Sequence, residues 1–484
     1  MTPHPFFVVL VLLAGCSLGP DYVRPEAETP AAYRATAQTA ARAWPDNGWW
    51  RGFGSLELNG LIDDARAQNF DLAAAVARVQ QVDAQLRISG AALLPTADVQ
   101  GRQDWSRSAS SGRSLSGFAG GSRGITYRET RTSQLSLGVS WELDFWGRLR
   151  ATRDASLANA LASRFDQQTV ALTVVTSVAS TWFQACALRD RLDVSARNLA
   201  DAEFILRAIT ARQAAGTASL LDVSQQEALV AAIRTTQPAL RSQLEQQVNA
   251  LGLLTGRPPS AITVRPDTLV ALKLPEVAAG LPSELLARRP DVATAEARLQ
   301  VANADIRVAR ANFYPQVTLS GTAGWSSLAL GTLFGPGSLF ATAAANAVQP
   351  VFNNGLLTAQ FDQSRGRYDE LLANYRTAVL QAFTDVENGI QTYGFATEQQ
   401  RLSEIAVSIA QRSSDIARAQ LLAGTVDIVT ALQVQTTLFN DLDTLAQIRL
   451  SRFQSLLSLY KALGGGWSDR DVQAPETRLF QGVL

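Results

Sequence analysis

Histidine is nearly absent: the single copy is His4, at the very start of a chain of 484 residues. That removes the commonest metal ligand and the side chain best suited to proton transfer near neutral pH. Cysteine is nearly absent too, with only Cys16 and Cys186, so no disulfide framework is expected. Neither sign of charge is in excess, because 43 basic residues balance 43 acidic ones. Nothing in that balance suggests a nucleic-acid partner or an anionic lipid surface. The sequence contains no P-loop, no G-x-G-x-x-G opening a helix after a strand, no H-E-x-x-H and no G-x-S-x-G. Carboxylates are scattered along helical segments rather than gathered in loops, so most enzyme classes are excluded, and no cofactor or metal site is indicated. Long apolar runs are lacking as well. Beyond the N-terminal segment no stretch approaches about 18 uninterrupted apolar residues, the pattern of a membrane-spanning helix.

What is present begins with the short apolar run from Phe6 to Ala14. It is far shorter than the roughly 20 residues that cross hydrocarbon and has the size of a signal peptide. It closes in Leu13-Ala14-Gly15-Cys16-Ser17, which resembles the lipobox of a bacterial lipoprotein precursor. Residues 1–15 are then a cleaved signal, and Cys16 becomes an N-terminus carrying N-acyl and S-diacylglycerol lipid. Ser17, rather than Asp, is similar to an outer-membrane sorting context. The alternative is an ordinary secretory peptide with a chance cysteine, and the n-region MTPHP does lack Lys and Arg. Cys186, inside the helical run TWFQACALRDRL, reads as a small packed hydrophobe.

The rest of the chain is one unit written twice. Leu94-Pro95-Thr96 is answered by Tyr314-Pro315-Gln316, Phe145-Trp146-Gly147 by Phe352-Asn353-Asn354-Gly355, and Ala215-Gly216-Thr217 by Ala423-Gly424-Thr425. Each copy runs helix, proline, two alternating stretches, a very long helix, a glycine turn and a returning helix. The first long helix is expected from about Arg148 to Gln213, on the order of 100 Å. Its apolar seam can be followed through Ala171, Val175, Val178, Trp182, Ala185, Leu188, Leu192, Ala196, Leu199, Ala202, Leu206 and Ile209. The mean spacing is close to 3.5 residues, the coiled-coil repeat. The second long helix is expected from about Leu356 to Leu422, and the returning helices from about Leu220 to Leu254 and Ile428 to Leu463. Gly216 and Gly424 fall where a helix end accepts a left-handed residue, so each pair forms an antiparallel hairpin.

Between proline and long helix the period changes to two. Gln134 to Phe145 sets Leu135, Leu137, Val139, Trp141, Leu143 and Phe145 on one face, with Thr96 to Arg107 as partner across a Ser/Gly-rich connection. The second copy offers Gln316 to Ser326 and about Leu339 to Phe352. Strands of about ten residues with aromatics near their ends, here Trp105, Trp141, Trp146, Trp325 and Phe352, suit a membrane β-barrel. A soluble hairpin capping the helices is the alternative. Four strands cannot close a membrane barrel, and open edges are not tolerated in lipid, so several chains must contribute.

Several stretches, namely GPDYVRPE after the lipobox, WWRGFGSLELNGLIDDARAQNFDLAAAVARV, WELDFWGRLRA, and above all GLPSELLARRPDVATAEARLQVANADIRVARANFYPQVTLSG, resemble the outer-membrane factors. These are the TolC-like and NodT-type lipoprotein components of tripartite efflux systems. The resemblance spans essentially the whole mature chain. It implies a mainly α fold with membrane β: a homotrimer whose helical hairpins form an α-barrel and whose four strands per chain make a shared twelve-stranded β-barrel. The implied division is a lipid-anchored segment 16–55, a first repeat 56–256, an equatorial linker 257–282, a second repeat 283–464 and an equatorial tail 465–484. Implied partners are outer-membrane lipid, a periplasmic adaptor and an inner-membrane pump of the RND type, with small molecules passing by diffusion. The tips around Ala215, Gly216 and Thr217 and around Ala423, Gly424 and Thr425 would be the periplasmic entrance and the adaptor contact. Asp222 matches a first-repeat aspartate of the family's gate. Gln433 stands where lipoprotein members commonly carry aspartate, with Asp427 a turn and a half earlier. A carboxylate at a helix N-terminus can equally serve the helix dipole. A trimeric adhesive lipoprotein without a lumen is the alternative of another class, although such fibres usually carry one uninterrupted heptad stalk.

Overall fold

The computed structural model describes residues 44–110, 126–275 and 282–467, with short stretches between 19 and 34 and single positions at 277 and 472. The expected signal peptide, Cys16 and nearly all of the tail beyond Trp467 lie outside the described residues.

Helix α1 (Leu56–Gln68) starts where Ser55 Oγ accepts from Leu58 N, and α2 (Phe70–Ala91) where Asn69 Oδ1 accepts from Leu72 N. After Pro95 come strands β1 (Thr96–Ser110) and β2 (Thr126–Leu143). Helix α3 (Arg148–Ala214) follows Gly147, which takes φ +75°. Asp144 satisfies two of the helix's free N–H groups, accepting from Leu149 N at 3.0 Å and Arg150 N at 2.9 Å. Helix α4 (Leu220–Leu254) returns alongside. The second copy supplies α5 (Pro290–Ala311), β3 (Gln316–Ser327), β4 (Leu339–Val348), α6 (Leu356–Ala423) and α7 (Ile428–Ala462). The four strands form one antiparallel meander in the order β1-β2-β3-β4, so the central β2–β3 ladder joins the two repeats. Helix α3 lies against α2, α4, α5 and α7, while α6 lies against α5 and α7.

The long helices end within a residue or two of their expected bounds, because glycine and strand chemistry fix those ends locally. Three expectations need correction. Strand β2 begins at Thr126 and β1 reaches Ser110, so part of the Ser/Gly-rich connection is strand. Its ladder pairs Arg107 with Glu129 and Ser108 with Arg128, where polar residues on both faces hide the alternation that reveals a half-buried strand. Strand β4 stops at Val348, because Pro350 lacks the N–H a ladder needs, and Phe352 therefore lies beyond it. Along α3 the buried stripe moves at its middle to Val194, Ser195 and Asn198, leaving Ala196 exposed. The partners of α3 change along its length, so one seam does not serve all of it.

The main core lies where the hairpins leave the strands. Trp182, Phe183 and Cys186 are fully buried there with Phe53, and Phe183 meets Phe53 edge-on at 5.0 Å. Burial among apolar groups pushes the Cys186 thiol well up, which keeps it inert. One 18-residue window of α3 is apolar enough to pass for a membrane span by composition, but 56% of it is buried within the protein. The linker after α4 is strapped over this core by carboxylates. Glu57 accepts from Trp182 Nε1 at 2.9 Å and from Arg265 N at 2.7 Å, and Asp190 accepts from Leu269 N at 3.0 Å.

Burial raises the Asp190 carboxyl above its ordinary range, outweighing the Leu269 N–H that favours its charge. A carboxyl raised by folding favours the native state below its unfolded pKa and loses that contribution as pH rises through the folded value. Asp190→Asn keeps an acceptor for Leu269 N and removes the buried charge. The variant is expected to melt at a higher temperature than the parent at pH 7.5, with the difference shrinking at pH 4.5. Circular dichroism melts in detergent at the two pH values check this, and equal differences at both would contradict it.

Candidate functional site: the hairpin tips and the sheet

Each hairpin turns on its glycine. Gly216 and Gly424 adopt φ +75° and +76°, a region β-carbon-bearing residues rarely enter. At the first tip Thr217 N donates to Arg212 O and Gly216 N to Gln213 O, both at 2.9 Å. At the second, Thr425 N donates to Gln420 O at 2.9 Å and Gly424 N to Leu421 O at 3.1 Å. The two ends thus share one closing motif, satisfying the last carbonyls of their helices. Ala215 and Ala423 precede these glycines at the helix ends, and all the tip residues but Thr217 are exposed.

Both candidate gate carboxylates are employed as helix caps. Asp222 closes a capping box with Ser219: it accepts from Ser219 N at 2.8 Å while Ser219 Oγ accepts from Asp222 N at 3.1 Å. Asp427 caps α7, accepting from Thr430 N and Thr430 Oγ1, both at 2.9 Å. The Thr430 N–H holds the Asp427 carboxyl below the usual carboxylate range, so it stays charged. Gln433 is exposed on α7, a turn and a half further on.

The structure brings the two tips together. Ile205 and Ile209 of α3, Val223 of α4, Leu421 of α6, and Ile428 and Ala431 of α7 bury one another in a single apolar cluster. Two arginines fasten the contact. Arg212 Nη1 donates to Leu421 O at 2.8 Å, and Arg418 meets Asp201 at 3.3 Å with its guanidinium 4.5 Å from the Phe204 ring. Sequence reasoning missed both arginines. Arg212 stands in the last turn of α3, where a cation reads as a partner for its own helix's dipole, and the carbonyl it reaches is 209 positions away. Above the tips the hairpins fit less closely. A cavity of about 180 Å³ lies between Asn198, Ile233, Thr236, Gln435 and Phe439, and Gln435 Oε1 is buried without a partner.

At the other end, the sheet sorts its residues by face. Val99, Leu135, Leu137, Val139, Trp141, Leu143, Val317, Leu319, Trp325 and Leu339 share one face with the alanines at 341, 343, 345 and 347. Asp98, Gln100, Arg102, Gln134, Ser136, Ser140, Glu142, Thr318, Ser320, Thr322, Thr342 and Asn346 occupy the other. Trp105 and Trp325 lie at the end away from the helices, with Trp105 60% exposed. Trp141 and Trp146 tie the near end down, donating from Nε1 to Leu93 O at 3.0 Å and to Pro315 O at 2.7 Å. Phe352 is exposed in the loop past β4. β1 and β4 each leave one edge unpaired within the chain. Among the described residues no group of three or more His, Cys, Asp or Glu gathers as metal ligands would.

Comparison with known proteins gives the same picture. Residues 61–257 and 281–465 match the family described as outer membrane efflux protein. The chain is 38% identical over 465 residues to the pyoverdine export outer membrane protein OpmQ of Pseudomonas aeruginosa, covering 95% of this chain and 96% of that one. It is 33% identical over 474 residues to the toluene efflux pump outer membrane protein TtgC of Pseudomonas putida, covering 96% of both. The solved outer-membrane channel OprN superimposes with a TM-score of 0.84 at 25% identity, over 93% of this chain and 100% of that one.

Proposed function

This chain belongs to the outer membrane efflux protein family and is an outer-membrane efflux channel, and on that premise we propose that three copies close one continuous passive duct. The observation that carries the reading is the sheet, with one apolar face, one polar face and two free edges. Hydrocarbon tolerates no open edge, so β4 of one copy pairs with β1 of the next, the apolar face meets lipid and the polar face lines water. Twelve strands result from three copies. The helices close in the same sense: Phe395 and Leu402, one heptad apart on α6, are exposed, Phe395 at 76%. Their counterparts in the first repeat, Ala187 and Val194, are buried. A neighbouring copy's first hairpin covers the α6 stripe.

The division into signal, lipid-anchored segment, two repeats and equatorial linker and tail is part of the same proposal, with lipid on Cys16 assisting an anchor that the barrel dominates. The packed tips are the closed periplasmic entrance and the docking place of an adaptor, through which an RND-type inner-membrane pump delivers cargo. Asp222 and Asp427, tripled by the threefold axis, give that entrance a negative rim, and Gln433 leaves the next level uncharged. OpmQ and TtgC carry different cargoes in their names, pyoverdine and toluene, at 38% and 33% identity to this chain. That supports cargo choice by the pump rather than the duct.

The repeat also supplies the register of closure. Pro315 follows Pro95 by 220 positions and Gly355 follows Gly147 by 208. Shifted by those amounts, the observed pair of Leu137 with Ala323 becomes Ala345 of one copy with Gln103 of the next. Chains carrying both Gln103→Cys and Ala345→Cys are expected to run under oxidation as disulfide-linked dimers and trimers, with nothing larger. Moving the first cysteine two positions, with Gly101→Cys, is expected to lower the yield sharply. Monomers alone would sink the shared barrel, and an open ladder of larger species would sink the number three.

A further inference from the structure

On that reading, the apolar face of the sheet does not end in plain polar surface. Beyond the rung of Leu135 and Trp325, the same face continues up the β1–β2 ribbon away from the helices. Trp105 lies opposite Arg131, and two residues on, Arg107 lies opposite Glu129. By the side-to-side alternation of a strand, both guanidiniums point to the lipid side, at the outer end of the apolar band. Trp105 shares that face, as an interfacial anchor would. Arg107 is held in place: its guanidinium lies 4.2 Å from the Tyr127 ring and 3.8 Å from Glu129. Arg131 is exposed, and among the described residues no carboxylate pairs with it. Glu129 is the sole acid on this part of the face among the described residues.

We propose that Arg107 and Arg131 form, in each copy, a binding site for the phosphate groups of the phosphorylated glycolipid that makes up the outer leaflet. Guanidinium matches phosphate with paired donors, and the tryptophan beside it packs on the sugar and acyl boundary of the same lipid. The apolar band below is already in contact with that lipid's chains, so the headgroup falls at the height of the arginines. The chain's balance of 43 basic and 43 acidic residues conceals the site, because the charge that matters lies on one face of one ribbon. Arg102 and Arg128 lie on the opposite face, toward water, and Arg102 is paired with Asp104 at 2.6 Å.

Native mass spectrometry of the full-length protein in detergent, titrated with bis-phosphorylated lipid A, tests this. Trimers of the parent are expected to hold up to three lipids, and Arg107→Gln with Arg131→Gln is expected to weaken binding about tenfold or more. Arg102→Gln with Arg128→Gln changes the charge equally on the other face and is expected to leave lipid binding unchanged. Lipid A stripped of phosphate is expected to bind the parent as weakly as it binds the outward-face variant. Equal binding of both lipids, or equal loss in both variants, would overturn the proposal. The same spectra count chains: monomers throughout would overturn the shared barrel and this site with it, a result distinct from trimers whose lipid binding ignores the arginines.

Discussion

Replacing Arg212 and Arg418 together by alanine is expected to make the closed entrance leak, raising the open fraction of single channels about thirtyfold. A charged hydrogen bond such as that from Arg212 to Leu421 O contributes roughly 1.5–3 kcal/mol. The exposed pair of Arg418 with Asp201 adds little by itself, and its cation–π contact with Phe204 adds about 0.5–1 kcal/mol. A loss of about 2 kcal/mol corresponds to the thirtyfold shift, provided that both contacts exist only while the tips are together. The apolar cluster around Ile209 and Leu421 remains, so closure is weakened rather than abolished. The cavity and unpaired Gln435 above it indicate that packing higher up does little to hold the hairpins together. Planar-bilayer recordings read the effect directly. Arg212→Lys keeps a donor and is expected to leak less than the alanine form, and unchanged conductance in the double variant would mean that the arginines are not the fastening.

The second large effect is structural. Arg289 is buried at the start of α5 and fastens three helices: it donates to Asp291 beside it, to Asp385 of α6 at 2.9 Å, and to Ala462 O at the end of α7 at 3.3 Å. Arg289→Leu removes the cation and leaves both carboxylates without it, which is expected to cost about 3 kcal/mol, the low end for a broken buried pair because both aspartates still reach water. Burial alone would raise the Asp291 carboxyl, but donation from the Arg289 guanidinium outweighs it and leaves the group below its ordinary range. A carboxyl lowered by folding stabilises the native state above its unfolded pKa, near 3.9 for aspartate, and loses that contribution as pH falls through the folded value. The parent is therefore expected to lose stability below about pH 4 through this group, and the leucine variant to lack that step. Urea unfolding followed by helix ellipticity, at neutral and acid pH, checks both parts. A variant as stable as the parent would show that packing, not the ion pairs, joins these helices.

Much of the molecule is readable along the chain because its signals are local. Glycines at 216 and 424 end helices by their own conformation, Ser219 and Asp222 are spaced as a capping box, and Leu135 to Leu143 shows its face by alternation alone. Proline and glycine repeats at 95 and 315, and at 147 and 355, mark the two copies. Where alternation is absent, as from Thr126 to Thr132, backbone pairing alone makes the strand and the residue types are silent.

The sequence by itself determined the repeat, the helix lengths, the glycine turns and the two faces of the sheet, since periodicity and backbone preference act over a few residues. Only the tertiary structure decided which carbonyl Arg212 reaches, that Arg289 fastens three helices, that Asp190 is buried beneath the linker, and that Arg107 and Arg131 share the apolar side of the ribbon. Those choices depend on groups tens to hundreds of positions apart, whose meeting is set by strand register and helix packing, and neither is encoded in any short stretch of the chain.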